Sequence, residues 1–216
     1  MFDAGRIRPI PSRSVEARVA VLVSGAGTNL QALIDDPVVA PWIALVVSDR
    51  PGALAIRRAE VAGIRAAVLE PEAGWTRADY DKRLLGLLRD QRIRFVLNAG
   101  FMRILGPKVL GEFPERWLNI HPSLLPAFPG MHAERQALEW GARVTGVTIH
   151  LVDEEVDHGP IVLQEPVLVL PGDDELSLHR RVQQVEHRLY PQAARLLVEG
   201  RLKVEGRRVH ILEDEA

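Results

Sequence analysis

The chain has 216 residues, of which 47% are apolar, with 27 basic against 29 acidic side chains for a formal net charge of −2. That balance suits a packed core in one α/β domain and excludes wholesale disorder and a polycation built for nucleic acid. With no cysteine in the chain, disulfides, thiolate zinc sites and cysteine nucleophiles are excluded too.

Residues 1–16 (MFDAGRIRPIPSRSVE) are punctuated by Arg and Pro and lack the apolar centre of a signal peptide. They read as a flexible extension ahead of a domain spanning residues 17–212. Arg18 to Ser24 (RVAVLVS) is a continuous apolar run, the pattern of a strand covered on both faces. A helix is expected from near Thr28, with Leu30, Leu33 and Ile34 on one side. Trp42 to Ser48 predicts a second strand, and Ala53 to Ala62 a helix closed by Gly63. Ala66 to Leu69 reads as a short strand, and Thr76 to Gln91 as a helix opened by a Thr cap. Ile93 to Leu97 is the fourth buried strand. Strands and helices alternating at these lengths imply a mostly parallel sheet with right-handed crossovers.

The second half changes character. Val144 to Val152 and Pro160 to Leu170 are strand segments joined by the polar loop 153–159, so they should pair antiparallel. Pro166 inside the second argues for an edge or a bulge. Glu175 to Glu199 is a long amphipathic helix, expected to bend at Pro191. Arg201 to Leu212 suggests a terminal hairpin. Apolar runs break within about ten residues, too short for a bilayer span, so a soluble cytoplasmic protein is expected.

Three loops carry chemistry. Ser24-Gly25-Ala26-Gly27-Thr28-Asn29-Leu30 places glycines between a strand and a helix N-terminus, a setting for a phosphate. Leu30 stands where a dinucleotide fingerprint would want a third glycine. Asp49 after the second strand nevertheless keeps a nicotinamide enzyme as an alternative. Asn98 to Pro107 (NAGFMRILGP) follows the fourth strand. Phe101, Met102, Ile104 and Leu105 make it either a wall for a flat heterocycle or a packed connection. Asn119-Ile120-His121-Pro122 offers an amide and an imidazole two residues apart, hence on one side of an extended segment. Such a pair, on a bend fixed by Pro122 and Pro126, suits negative charge developing on a carbonyl oxygen. The loop Asp153 to Pro160 supplies carboxylates with no calcium-loop spacing, and no histidine spacing suggests a metal. Asp157 lies 36 positions after His121, so spacing cannot pair them. His132 and His150 are the other histidines nearest these loops.

Taken together, SGAGTNLQALID, AGFMRIL, NIHPSLLPAFPGMHAERQAL, GVTIHLVDEEVDHGPIVLQE and RVQQVEHRLYP resemble phosphoribosylglycinamide formyltransferase, from about residue 17 to about 205. The resemblance implies a single-domain formyltransferase fold with a Rossmann-like first half. It also implies transfer of a formyl group from 10-formyltetrahydrofolate to the amine of 5′-phosphoribosylglycinamide. By it, Asn119, His121 and Asp157 are catalytic, with Asp157 orienting His121 and keeping its pKa up. Gly27, Thr28, Asn29, Gln183 and Glu186 fall on the ribonucleotide site. Arg77, Met102, Arg103, Ile104, Leu105 and Asn119 fall on the folate site, and Leu125-Pro126 on a cis-proline bend. No metal is implied, and the partners are small molecules rather than nucleic acid or membrane, with a monomer or homodimer expected.

Two departures stand out: His158 where a glycine is common, and Asn98 bringing a polar group to the edge of the folate loop. A methionyl-tRNA formyltransferase and a formyltetrahydrofolate hydrolase share the Asn-His-Asp set. The first should carry a further basic domain after Leu212, and the second a regulatory domain that 16 residues cannot supply. A catalytically silent phosphoribosyl- or folate-binding protein is the reading from another class.

Overall fold

The computed structural model describes residues 17–213; the expectation for residues 1–16 falls outside them. Strand β1 (Val19–Val23) is buried along its whole length. It sits among β2 (Ile43–Ser48), β3 (Ala66–Val68), β4 (Phe95–Asn98) and β5 (Trp117–His121), all parallel, in the order β3-β2-β1-β4-β5. Helices α1 (Thr28–Asp35), α2 (Leu54–Val61), α3 (Arg77–Asp90) and the single turn α4 (Pro107–Leu110) carry the crossovers.

Alternation along β1 explains why its sequence is apolar throughout. Val19, Val21 and Val23 pack with Leu30 and Leu33 of α1 on one face. Ala20 and Leu22 pack with Leu84 and Leu88 of α3 on the other. A strand whose two side-chain rows both meet helices has no solvent face on which to place a polar residue. α3 begins where its Thr signalled: Thr76 and Asp79 form a capping box.

Beyond β5 the sheet turns antiparallel. β6 (Val144–Leu151) pairs with β5, and β7 (Ile161–Leu168) pairs with β6. The hairpin of β8 (Leu202–Glu205) and β9 (Arg208–Ile211) joins β7 at Ile161 opposite Arg208. Pro166 therefore lies on a stretch of β7 open on its outer side, while the register irregularity falls elsewhere, between Ile149 and His150. The edge reading of that proline holds and the bulge reading does not.

The long helix α6 (Glu175–Val198) starts at a reciprocal Asp174–Ser177 cap and keeps Pro191 buried inside it without being divided. Helix α5 (Ala133–Glu139) was not anticipated. Two turns are too few for a helical period to rise above the surrounding loop.

Asn98 proves structural. Its Oδ1 accepts from Trp117 Nε1 at 3.0 Å, and its carbonyl accepts from the buried Tyr190 hydroxyl at 2.6 Å. It thus ties β4, β5 and α6 together. Tyr190→Phe deletes that donor, and is expected to lower the free energy of unfolding by ~1–2 kcal/mol, the usual cost of a lost buried hydrogen bond. Urea denaturation with an unchanged m-value checks this.

Candidate active site

In an open α/β sheet, ligands gather beyond the carboxyl ends of the strands where the strand order reverses. Here the chain runs outward from β1 through β2 to β3, then returns to place β4 on the other side of β1. The loops after β1 and β4 meet at this switch point, where the Met102 N–H donates to Ser24 Oγ at 2.9 Å.

The loop after β1 carries the glycine bend. Gly27 has φ 70°, and a Cβ added there would lie 2.5 Å from the Cβ of Ala55 and 2.8 Å from its Cα. Only glycine meets both demands. No side chain caps the N-terminus of α1, so its first N–H groups keep their donor capacity for an anion. Helix α6 closes this loop from the side: Gln183 Nε2 donates to Thr28 Oγ1 at 2.9 Å and Asn29 Nδ2 to Glu186 Oε2 at 3.1 Å. The residues picked out by the resemblance, 155 positions apart along the chain for the first pair, are thus in contact. Burial raises the Glu186 carboxyl above the usual range despite the Asn29 hydrogen bond.

The loop after β4 divides its side chains between core and surface. Phe101 and Leu105 are packed inside, while Met102 and Ile104 are 59% and 61% exposed. Leu105 can therefore meet a ligand through its backbone only. Arg103 lies 4.5 Å over the Tyr80 ring and 4.0 Å from Asp49. Asp49 is itself buried, which removes it as a ribose-binding acid and with it the main support for the nicotinamide alternative. The Gly106 N–H donates to Asp81 Oδ2 at 2.8 Å. The Arg77 side chain reaches the same glycine, its Nε 3.6 Å from where a Cβ would stand. Two cations and two exposed apolar side chains on one loop edge suit a flat ring system carrying carboxylates.

At the end of β5 the two polar side chains converge on Asp157, which the loop between β6 and β7 brings back. His121 Nδ1 is 3.3 Å from Asp157 Oδ2, and Asn119 Nδ2 donates to Asp157 Oδ1 at 3.2 Å. The Gly130 N–H donates to Oδ2 at 2.8 Å. Asp157 is held at φ 52°, a left-handed conformation that costs a non-glycine residue free energy and clusters at functional sites. Burial pushes its carboxyl up, but the His150 and His121 rings and the Gly130 N–H outweigh this and hold it below the usual range.

A carboxylate with a lowered pKa adds stability above the ordinary aspartate value of about 3.9 and loses it as pH falls through the folded value. Stability is therefore expected to fall more steeply between about pH 5 and about pH 3 in the natural protein than in Asp157→Asn. Chemical denaturation across that range measures the difference.

His150 belongs to the same cluster. Its Nδ1 donates to the Leu151 carbonyl at 2.8 Å, and its Nε2 lies 3.1 Å from Asn119 Nδ2 and 3.7 Å from Asp157 Oδ1. Cross-strand pairing explains the contact, since Asn119 stands opposite His150 across β5 and β6. His132, the other histidine near these loops, is 4.0 Å from Glu175 and outside this network. His121 Nε2 donates to the Phe128 carbonyl at 2.8 Å. The ring thus faces a carboxylate through one nitrogen and a carbonyl through the other. The Leu125–Pro126 bond is cis, as the resemblance implied. His158 turns away: it meets Asp153 at 2.8 Å, and its carbonyl accepts from Arg207 at 2.6 Å.

Among the described residues, no group of three or more His, Asp or Glu side chains is placed to hold a metal ion. Residues 17–194 match the formyl transferase family. The chain is 46% identical over 204 residues to the trifunctional purine biosynthetic protein adenosine-3 of Drosophila pseudoobscura pseudoobscura, a match covering 92% of this chain and 15% of that one. It therefore spans less than a sixth of that relative's length. Phosphoribosylglycinamide formyltransferase of Escherichia coli (strain K12) is 41% identical over 189 residues, with 86% of this chain and 89% of that protein covered. Among solved structures, glycinamide ribonucleotide transformylase 1 from Symbiobacterium toebii superposes with a TM-score of 0.89 at 48% identity, covering 93% and 96% of the two chains.

Proposed function

The chain belongs to the formyl transferase family, and we propose that it passes a formyl group from 10-formyltetrahydrofolate to the amine of 5′-phosphoribosylglycinamide. The observation that carries this reading is the convergence of Asn119 and His121 on Asp157 beside the glycine bend. An uncapped helix end for a phosphate on one side and a cationic, apolar loop on the other support two ligands meeting there.

In this reading the glycinamide nitrogen attacks the formyl carbon, and the carbonyl π electrons move onto oxygen. The doubly protonated His121 donates to that oxyanion through Nε2, the donor now held by the Phe128 carbonyl. The substrate oxygen takes the place of that carbonyl. Asn119 contributes its amide by releasing Asp157, its present acceptor. Asp157 stays charged throughout, which balances the imidazolium. The tetrahedral carbon then expels the folate nitrogen, which takes a proton, while the amine nitrogen loses one. The products are formylglycinamide ribonucleotide and tetrahydrofolate.

The same reading gives the site small-molecule partners, without nucleic acid or membrane, in a cytoplasmic enzyme of purine synthesis. No helix among the described residues is long and apolar enough to cross a membrane. A spectroscopic transfer assay with 10-formyl-5,8-dideazafolate tests the proposal, run with glycinamide ribonucleotide, with water alone and with methionyl-tRNA as acceptors. Transfer to the ribonucleotide alone is expected. Formyl release without it selects a hydrolase, and transfer to the aminoacyl-tRNA selects the tRNA enzyme.

A further inference from the structure

His179 and Glu134 form a pair that the reading above leaves unused. Glu134 is in the first turn of α5 and only 7% exposed. Its Oε1 accepts from His179 Nδ1 at 2.8 Å, yet 46% of the histidine side chain stays in solvent. A carboxylate buried alone is costly, so it needs this cation. The pair thereby turns its negative end into the protein and leaves the positive ring edge outside.

That edge runs along α6 toward the glycine bend. His179 Nε2 is 3.5 Å from Gln183 Nε2, and the same amide nitrogen is 2.9 Å from Thr28 Oγ1. The ring therefore lies one side chain away from the loop assigned to the phosphate. The Glu134 hydrogen bond raises the His179 pKa against partial burial, with help from Glu186 and Glu175. A ring with both protons wants an acceptor at Nε2. A phosphoryl oxygen meets that need, as does the Gln183 carbonyl after a half-turn of its amide, which frees the amide N–H groups for the same anion.

We propose that His179, held by Glu134, supplies the cationic contact to the phosphoryl group of a ribonucleotide bound at Gly27, Thr28 and Asn29. The inference rests on the functional reading above and adds a determinant of which ligand the site takes: the phosphorylated riboside over the free one. Calorimetry with glycinamide ribonucleotide and with its phosphate-free riboside tests it in the natural protein, His179→Gln and His179→Lys.

The glutamine variant keeps a hydrogen bond to Glu134 but has no charge. It should bind the ribonucleotide roughly fivefold more weakly, the size of one partly exposed charge pair, with riboside binding unchanged. The lysine variant should stay within about twofold of the natural protein for both ligands. Equal losses on both ligands in the glutamine variant would mean that the pair only props α6 against α5, and would overturn the proposal. Unchanged ribonucleotide binding in that variant would overturn it as well. Formyl transfer is followed on the same samples. A natural protein that binds the ribonucleotide but passes no formyl group to it defeats the functional reading, while the binding ratio still judges His179. A natural protein that binds no ribonucleotide defeats both.

Discussion

Alanine at His121 is expected to lower kcat by roughly 10²–10³-fold, the loss typical of one oxyanion donor, with the dissociation constants of both substrates changed little. Alanine at Asp157 should do comparable damage by a different route. Without the carboxylate, His121 Nδ1 loses its acceptor 3.3 Å away, and Asn119 loses the partner that helps to fix its amide. The ring then loses the partner that holds its angle. Because Asp157 acts through His121, the two losses should not add. The double variant should be no more than about tenfold slower than either single one, as groups acting in one unit behave. Pre-steady-state transfer rates together with equilibrium binding separate these outcomes. Turnover near that of the natural protein in either single variant would remove that residue from the mechanism.

Gly27→Ala is the second substitution with a large expected effect, and it acts on the ribonucleotide. At φ 70° an alanine is strained, and its Cβ would fall 2.5 Å from Ala55 Cβ, on a helix that cannot move alone. Ala55 is fully buried and its N–H donates to the Gly25 carbonyl, so relief must come from displacing the bend itself. Strain and overpacking of this kind cost ~2–3 kcal/mol of folding stability. The first N–H groups of α1 would shift with the bend. KM for the ribonucleotide should therefore rise by about tenfold or more, while KM for the folate changes little, since a displacement near 1 Å suffices for such losses. Thermal unfolding and steady-state kinetics give the two halves of this result. A variant of natural stability with an unchanged KM for the ribonucleotide would take the phosphate away from this loop.

Much of this arrangement was legible in the chain, and the residues show why. Strand β1 announced itself because a row buried on both faces must be apolar throughout. The i, i+2 relation of Asn119 and His121 followed from the pleat, whose period the sequence displays directly. Thr76 showed as a helix cap, because capping is a local interaction within three residues. The roles of Gln183 and Glu186 came from resemblance alone. Nothing in a helical pattern says which turn will meet a loop 155 residues earlier.

Other features were out of reach. His150 joins the cluster through a cross-strand register, and register is set by the packing of the whole sheet rather than by the two residues. Asn98 showed only as a polar group at the edge of a loop and turned out to be a joint, because its partners Trp117 and Tyr190 lie 19 and 92 positions away. Asp49 offered a ribose acid and is instead buried beside Arg103. Helix α5 was hidden by its length.

By itself, then, the sequence determined the layer order of strand and helix, the glycine bend, the amide–imidazole pair and the family to which they point. These depend on contacts within a few residues, or on motifs kept in order along the chain. Spacing could not pair His121 with Asp157, a pairing that only the resemblance implied; tertiary structure alone decided that Phe128 occupies the other ring nitrogen, and that His179 and Glu134 meet beside the glycine bend. Chain separation carries no distance beyond a turn or a pleat, and only the packing of loops across the carboxyl ends of the sheet brings such groups within reach.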